Sequence, residues 1–254
     1  LYYENSLGVT MYIGQSKQYY EEQKSFVQAF TSIIVEGFLI TRSSKSKKND
    51  HLGLLVESNI PLVIFDRDCT GIEVDKVFVD EYNGAFQAVE YLIQTGCRRI
   101  AHIGGPQALS TARHRMKAYK DALQKHALPV REEYMVEADG FAPEHGIEPC
   151  KKLLALKEPP DAIFTINDGV AIGSMYVIKE AGIEIPGEIS VIGFDDDPHS
   201  SYFKPSLSTV WQPTYEMGML SARILMKRIS SKNELSKPRF ETLSPELVIR
   251  GSSR

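Results

Sequence analysis

Short apolar runs alternate with longer helical patterns along almost the whole chain, and no other feature constrains the fold as strongly. The runs have the length and the β-branched content of strands. They are Val9–Ile13, Gly37–Thr41, Pro61–Phe65, Lys76–Val79, Arg99–Ile103, Met135–Ala138, Ala162–Thr165, Ile189–Gly193 and Ser208–Val210. Because successive positions within them are apolar, they are typical of parallel strands that helices cover on both faces. The alternation predicts an α/β fold with doubly wound, Rossmann-like sheets.

The segments between these runs carry helix start and stop signals. The side-chain oxygens of Asn, Asp, Ser and Thr accept hydrogen bonds from the free backbone amides in the first turn of a helix. Gly often follows the last turn, because it readily adopts the left-handed conformation found there. The expected helix starts are Asn83, Ser110 or Thr111, and Asn167 or Asp168; the expected ends are Gly96 and Gly182; a long last helix is expected at Thr214–Ser230.

Two segments of the chain repeat one order of features. Asn59–Asp66 and Ile185–Asp195 each pass from a helix end through a proline-marked turn into an apolar strand that closes with Phe-Asp. The repeat predicts two similar lobes rather than an array of short repeats.

Breaks at Gly104-Gly105-Pro106, Gln212-Pro213 and Lys237-Pro238 predict three crossings between the lobes, which would form a hinge around a cleft. The expected N-terminal lobe comprises residues 1–104 and 212–237, and the expected C-terminal lobe comprises residues 105–211 and 238–254.

Composition and charge exclude several classes of protein. Apolar residues make up 43% of the 254 residues and charged residues 24%, which is ordinary for a globular protein and unlike a disordered or collagen-like chain. The three cysteines, Cys69, Cys97 and Cys150, form no Cys-x-x-Cys pair, as expected in a reducing compartment. A net charge of −4 disfavours DNA binding by this chain alone. No signal peptide or membrane span is predicted, so the expected location is the cytoplasm.

Motifs for catalysis and for cofactor binding are missing from the sequence. Gly104-Gly105 follows a predicted strand, but the Gly-x-Gly-x-x-Gly and Walker motifs are not there. No Ser/His/Asp or Cys/His signature marks a nucleophile. Asp195-Asp196-Asp197 could bind a metal ion, although three adjacent acids point in different directions. We therefore expect no enzyme, no cofactor and no metal.

Polar side chains follow several predicted strands, where ligands bind to open parallel sheets. These residues are Asp66, Arg67, Asp80, Asn167, Asp168 and Asp195–Asp197. Their carboxylate, amide and guanidinium groups suit the hydroxyls of a polyol, and they suit amides and nucleobases as well. The residue types alone leave the ligand class open.

Several stretches, taken in order from Val9 to Gly251, match one known family. They are Ile60–Arg67, Val77–Asp80, Gly96–Pro106, Thr111–Arg115, Pro159–Phe164, Asn167-Asp168, Val191–Asp196, Pro205–Val210 and Gln212-Pro213. Together they resemble the effector-binding core of the lactose-repressor/galactose-repressor (LacI/GalR) family of bacterial transcription regulators. The resemblance implies the type I periplasmic binding protein-like fold and a ligand-sensing, dimerising core. This core would bind a small molecule, expected to be a sugar or a derivative, between the lobes and so control DNA binding.

The resemblance also implies a set of ligand-binding residues. Asp195 matches the acid that holds sugar hydroxyls, and Arg115 matches an Arg that reaches the ligand from the first helix of the second lobe. Phe141 lies near the position of a stacking aromatic residue, with a slip of one residue. The full predicted set is Asp80, Arg115, Phe141, Asn167, Asp195 and Gln212.

Plainer interpretations stand beside these roles. Asp80 and Asn167 could cap the helices that follow them, and Arg115 could be a solvated helix residue. Asp66 could pair with Arg67, and Trp211 could stack on a ligand or pack in the hinge. His102 is interpreted as a packed core residue, and the basic run Arg42, Lys45, Lys47 and Lys48 as a solvated loop.

The resemblance implies partners as well. These are a small-molecule effector, a second copy of the chain in a homodimer, and operator DNA reached only through a helix-turn-helix domain. That domain and the opening strand of the family's core have no counterpart in this sequence. No membrane partner is expected. The alternative is an exported sugar-binding protein of a transport or chemosensory system, and an enzyme of nucleotide or sugar-phosphate metabolism is a third hypothesis.

Overall fold

The computed structural model describes residues 8–16, 19–33, 35–43, 49–69, 71–231 and 237–254. The chain divides into two compact units. Unit 1 comprises Leu1–Val79 and Thr214–Leu243, and unit 2 comprises Asp80–Pro213 and Ser244–Arg254.

Helices and strands alternate through both units. The strands are β1 (Phe38–Ile40), β2 (Leu62–Phe65), β3 (Asp75–Val79), β4 (Ile100–Gly104), β5 (Met135–Glu137), β6 (Ala162–Thr165), β7 (Ser190–Ile192), β8 (Thr209–Trp211), β9 (Phe240–Leu243) and β10 (Glu246–Val248). The α-helices are α1 (Tyr20–Ser32), α2 (Asp50–Glu57), α3 (Glu81–Gln94), α4 (Ser110–Lys125), α5 (Glu144–Leu154), α6 (Asp168–Glu180) and α7 (Thr214–Ser230). Two short 3₁₀ helices lie at Glu132–Tyr134 and Pro198–Ser201.

Unit 1 is built on a parallel sheet in the order β1-β2-β3-β9. Neighbouring residues of β2 enter different cores. Val63 packs with Ile224 and Leu225 of α7 on one face, and Ile64 packs with Leu52 of α2 on the other. Because helices cover both faces, the strands are apolar throughout, as the sequence predicts.

Unit 2 repeats this architecture with a parallel sheet in the order β5-β4-β6-β7, beside an antiparallel pair of β8 and β10. Ile163 of β6 faces a core that includes Leu153 of α5 and Val170 of α6. Phe164 faces a second core that includes Val89 of α3. The predicted α/β fold with doubly wound parallel sheets is confirmed in each unit.

One predicted strand is wrong and two strands were missed. Residues 8–16 form no strand, so the prediction for Val9–Ile13 fails, and the side chain of Ile13 is 82% exposed. An apolar run becomes a strand only when a neighbour completes its hydrogen bonds, and no described strand pairs with this one. The strand β9 was missed because its residues are largely exposed and lack an apolar run, and β10, a three-residue strand, was missed as well.

The unit boundaries differ from the expected lobes at all three crossings, and at the second by only two residues. The first crossing follows Val79, because β4 pairs with β5 and β6 and so places residues 80–104 in unit 2. The second follows Pro213 instead of residue 211, so Gln212 and Pro213 belong to unit 2. The third follows Leu243 instead of residue 237, because β9 extends the sheet of unit 1 alongside β3.

His102 on β4 is a packed core residue, as the sequence predicts. Its ring is fully buried and stacks between Tyr119 and Phe164, with ring centroids 5.4 and 5.0 Å away. Its Nδ1 lies 2.9 Å from the carbonyl oxygen of Phe164, which accepts a hydrogen bond from it. Burial lowers the pKa of His102 to about 4, so the ring is neutral at pH 7.

His102 should make the fold sensitive to acid. Its pKa in the folded state lies below the ordinary value of 6.5, so the unfolded chain takes up a proton that the folded chain resists. The stability that follows is complete above about pH 6.5 and is lost as the pH falls toward about 4, by roughly 3 kcal/mol in total. Urea unfolding at a series of pH values should therefore give a shallower acid slope for His102→Phe.

The matched control is His114→Gln on α4, whose side chain is exposed. It should keep the acid slope of the original protein. An unchanged slope in His102→Phe would contradict the role assigned to this buried ring.

Candidate functional site

All the predicted ligand-binding residues lie in unit 2, and all except Arg115 closely follow the carboxyl ends of strands. Arg115 lies in α4, which follows β4, and Phe141 lies in the loop after β5. Asn167 follows β6, Asp195 follows β7, and Gln212 follows β8. This common edge is where open parallel sheets bind ligands.

Arg115 lies at the centre of the candidate site. Its side chain is only 6% exposed, so the solvated interpretation is wrong. Its Nε donates to Glu81 Oε2 at 2.6 Å, and a terminal nitrogen donates to the carbonyl oxygen of Ile166. The guanidinium lies 3.5 Å from the ring centroid of Phe194, a cation–π contact, and 3.8 Å from Asp195 Oδ1. The cation is therefore fixed before any ligand arrives.

Asp195 presents a carboxylate that is held by protein yet open to solvent. Gln212 Nε2 donates to its Oδ1 at 2.6 Å, while 40% of the Asp195 side chain remains exposed. Desolvation raises the pKa of Asp195 to about 7; Arg115 opposes this rise, and the negative charges of Asp168 and Glu81 add to it. Asp195 is thus an acid that changes its charge near neutral pH.

The backbone of the turn after β7 is strained. Asp195 has φ 115° and Asp196 has φ 55°, which lie in the left-handed region that favours glycine. The Asp195 amide donates to the carbonyl oxygen of Val210 at 2.9 Å, and the Asp196 amide donates to Thr209 Oγ1 at 3.2 Å. Such conformations persist only where the surroundings hold them. Here β8 supplies these contacts.

Asp168, the first residue of α6, holds the far side of this turn. Its carboxylate is 1% exposed and accepts from Thr209 Oγ1 at 2.6 Å, Ser200 Oγ at 2.7 Å and the Asp197 amide at 2.8 Å. Desolvation raises its pKa, and these donors oppose the rise. A Cβ on Gly193 would lie 2.1 Å from Asp168 Oδ1, so only glycine fits there. The hydrogen bonds of Asp168 and its close contact with Gly193 hold the start of α6 against the turn.

Both polar atoms of the Asn167 side-chain amide form hydrogen bonds with the main chain. Its Oδ1 accepts from the Val170 amide at 3.1 Å and caps α6, which confirms the predicted cap. Its Nδ2 donates to the carbonyl oxygen of Phe141 at 2.9 Å. The ring of Phe141 is partly buried beside Gly105. Asn167 thereby positions the loop that carries this aromatic ring.

Asp80 caps α3 with its Oδ1, which accepts from the Asn83 amide at 2.9 Å. The prediction that Asn83 is the cap is therefore wrong. Asp is as good a cap as Asn, and the helix begins three residues earlier, so that Asn83 supplies only its backbone amide. The plainer interpretation of Asp80 as a cap is confirmed, and its ligand role stays a prediction.

Glu81 was missed as a member of this cluster. It is 4% exposed and forms the buried ion pair with Arg115. The signal was present in the sequence, because Glu81, Ala85 and Ala88 follow one another at spacings of four and three residues and therefore share a helix face. Both alanines are fully buried. An acid on a buried face requires a cation, and Arg115 is that cation.

Two further predicted residues, Asp66 and Arg67, belong to unit 1, whereas this cluster belongs to unit 2. Asp66 and Arg67, in unit 1, approach to 3.6 Å and form an ion pair, as their plainer interpretation predicts. Lys45, Lys47 and Lys48 of the basic run lie outside the described residues. Within the described ranges, no group of three His, Cys, Asp or Glu side chains could hold a metal ion. In that same part of the chain, no helix is long and apolar enough to cross a membrane.

Comparisons with known proteins agree with this architecture. A family model for a periplasmic binding protein-like domain matches residues 89–253. The HTH-type transcriptional repressor PurR of Yersinia pestis (strain Pestoides F) is 33% identical over 249 residues, which cover 97% of this chain and 72% of that protein. The chain belongs to the LacI/GalR family. The predicted resemblance is thereby confirmed.

Two further proteins are similar to this LacI/GalR-family chain. The "Probable HTH-type transcriptional repressor ExuR" of Bacillus subtilis (strain 168) is 36% identical over 216 residues, which are 85% of this chain and 64% of that protein. A solved structure, "transcriptional regulator CelR-cellobiose complex", superposes with a TM-score of 0.84 at 28% identity, over 92% of this chain and 71% of the other. The chain thus spans about two thirds of the length of its ExuR relative.

Replacing Asp168 should destabilise unit 2. Asp168→Ala leaves two hydroxyls and one amide without their buried acceptor, at about 1–3 kcal/mol for each group. We expect the free energy of unfolding to fall by roughly 3 kcal/mol or more. Urea unfolding followed by circular dichroism measures the loss.

Asp139→Ala is the matched control, since the Asp139 side chain is 90% exposed. It should change the free energy of unfolding by less than about 0.5 kcal/mol. Equal losses in the two variants would contradict the anchoring role of Asp168.

Proposed function

We propose that this chain is the ligand-sensing core of a cytoplasmic LacI-type transcription regulator. It would bind a sugar or sugar derivative at the cluster around Arg115 and Asp195. The observation that carries the proposal is the partly exposed Asp195 carboxylate, which Gln212 and Arg115 hold at the sheet edge. No catalytic step is part of the proposal, so the ligand should leave the protein chemically unchanged.

The chemistry of the cluster suits a polyol. An ionised carboxylate accepts up to about four hydrogen bonds, and Gln212 uses one of those of Asp195. Two adjacent sugar hydroxyls could donate to the remaining positions. The Phe141 ring, partly buried on the loop that Asn167 holds, could pack on the apolar face of a sugar ring. A relative solved with cellobiose supports the same ligand class.

A regulator of this type couples the effector to operator DNA through two states. A ligand shifts the balance only by its difference in affinity for the two states. The operator must then change ligand affinity by the same factor, because coupling is reciprocal. In this proposal the DNA is read by a helix-turn-helix domain of the whole regulator, and a homodimer brings two such domains to paired half-sites. Repressor relatives support the proposal.

A thermal-shift screen tests the sugar proposal. Cellobiose and a panel of mono- and disaccharides are the probes. A sugar at 100 times its dissociation constant should add about 2.7 kcal/mol to the free energy of unfolding. Asp195→Asn should strongly reduce the shift with little loss of stability. Arg115 is a poorer choice for this test, because its removal leaves Glu81 buried without its cation.

Asp139→Asn, on the exposed side chain, should keep the full thermal shift. Chromatography of the recovered sugar should show it intact. A panel without any stabilising sugar would overturn the proposed ligand class, and a converted sugar would overturn the binding-only function.

Ligand affinity should depend on pH through Asp195. A sugar hydroxyl donates to the ionised carboxylate, and the pKa of Asp195 is about 7, so the carboxylate of the free protein gains a proton below that pH. Affinity should be constant well above pH 7 and fall up to about tenfold for each pH unit below it. Calorimetric titrations between pH 5.5 and 8.5 measure this, with those pH limits chosen about 1.5 units either side of the midpoint.

Asp195→Asn should bind more weakly and with a flat pH profile, since it carries no titrating group at this position. A variant that kept the acid-side fall in affinity would assign the effect to another residue.

A further inference from the structure

The last segment of unit 2, Ser244–Arg254, is fastened to the sheet beside the candidate site. Its Ser252 is fully buried and forms backbone hydrogen bonds with two other segments. The Val191 amide donates to the Ser252 carbonyl oxygen at 2.7 Å, and the Ser252 amide donates to the Ser206 carbonyl oxygen at 2.9 Å. Ser252 Oγ also donates to the Val191 carbonyl oxygen at 2.6 Å. The segment therefore has a fixed register against β7.

Arg250 reaches from this segment to the strained turn. Its Nη2 lies 2.7 Å from Asp196 Oδ1, and both side chains are only 21% exposed. Its Nη1 donates to the carbonyl oxygen of Leu207 at 2.9 Å, and its backbone amide donates to Ser208 Oγ at 2.8 Å. Two bonds to two different residues fix the guanidinium, and the amide bond to Ser208 fixes the backbone of Arg250. An ion pair held in this way is stronger than an exposed pair of two mobile chains.

The ion pair between Arg250 and Asp196 holds a residue that is adjacent to Asp195. Asp196 directly follows Asp195, and both residues are held in the left-handed region, at φ 55° and 115°. On the far side, Asp168 accepts from the Asp197 amide at 2.8 Å. The turn is thus anchored at Asp196 by Arg250 and at Asp197 by Asp168. Strain at a non-glycine residue is retained only while such anchors remain.

We infer that Arg250 is a positioning residue, which fixes Asp196 and thereby sets the orientation of the Asp195 carboxylate at the candidate site. The inference rests on the proposed function only for the statement that Asp195 meets a ligand. Arg250 itself does not contact Asp195 among the described hydrogen bonds and ion pairs. The final segment of the chain would thus shape the site without touching the ligand.

The test measures Asp195 in the protein without any ligand. Carbon-13 NMR follows the titration of its carboxyl group, and Asp195→Asn assigns the signal. When Arg250→Gln releases the turn, the carboxylate gains water, and its midpoint should fall by about one pH unit or more from near 7 toward the ordinary range. Hydrogen exchange at the Asp195 and Asp197 amides should become about tenfold faster, while Ile163 in β6 stays protected.

Matched variants separate positioning from a general loss of structure. Arg254→Gln alters a second arginine of the same segment, whose guanidinium donates to the backbone carbonyls of Pro186, Gly187 and Glu188. It should leave the midpoint and the exchange unchanged. Arg250→Lys keeps the positive charge, so the titration midpoint of Asp195 should stay close to that of the original protein. Asp196→Asn removes the pair from its other side, should reproduce Arg250→Gln, and keeps the test decisive if that variant does not fold.

Two results would overturn the inference. One is a midpoint and exchange pattern in Arg250→Gln and Asp196→Asn equal to those of the original protein. The other is an equal change in Arg254→Gln. Because this readout needs no sugar, its failure leaves the ligand proposal untouched. A sugar screen without binding would in turn leave the role of Arg250 intact.

Discussion

The buried carboxylate of Asp168 is the interaction on which the candidate site depends. It joins the start of α6, the turn after β7 and the strand β8 through three short hydrogen bonds. Each of these elements carries a predicted ligand-binding residue next to it: Asn167, Asp195 and Gln212 respectively. A charge buried at this depth costs several kcal/mol unless donors surround it, and these donors do. The geometry of the site is therefore set by a residue that need not touch a ligand.

The sequence predicts most individual strands and helices well, because the apolar runs and caps that mark them are local features of the sequence. The strand Ala162–Thr165 and the helix Thr214–Ser230 have the predicted bounds, since apolar runs and caps act on adjacent residues. The strand expected at Val9–Ile13 fails for the opposite reason: a strand also requires a partner, and pairing is not a local property. The shift of the first crossing to Val79 has the same origin, because only the pairing of β4 shows which sheet it joins.

The site was predictable as a set of positions but not as a network. The family resemblance supplied Arg115, Asp195 and Gln212, and the structure joins them in one cluster. It could not supply the ion pair of Arg115 with Glu81, which links residues 34 positions apart. The left-handed backbone of the turn at Asp195 was also invisible, since Asp gives a weaker signal there than Gly.

Because Arg115 is enclosed by protein, the free-energy cost of ordering its side chain arises during folding and not during ligand binding. A guanidinium that Glu81, Ile166 and Phe194 already hold has lost its water and its rotamer freedom during folding. A ligand would then meet a group that needs no further ordering, which is preorganisation. The penalty falls instead on the stability of the empty protein, in all conditions and whether or not a ligand is present. Selection for tighter sensing at this position would therefore act against thermal robustness.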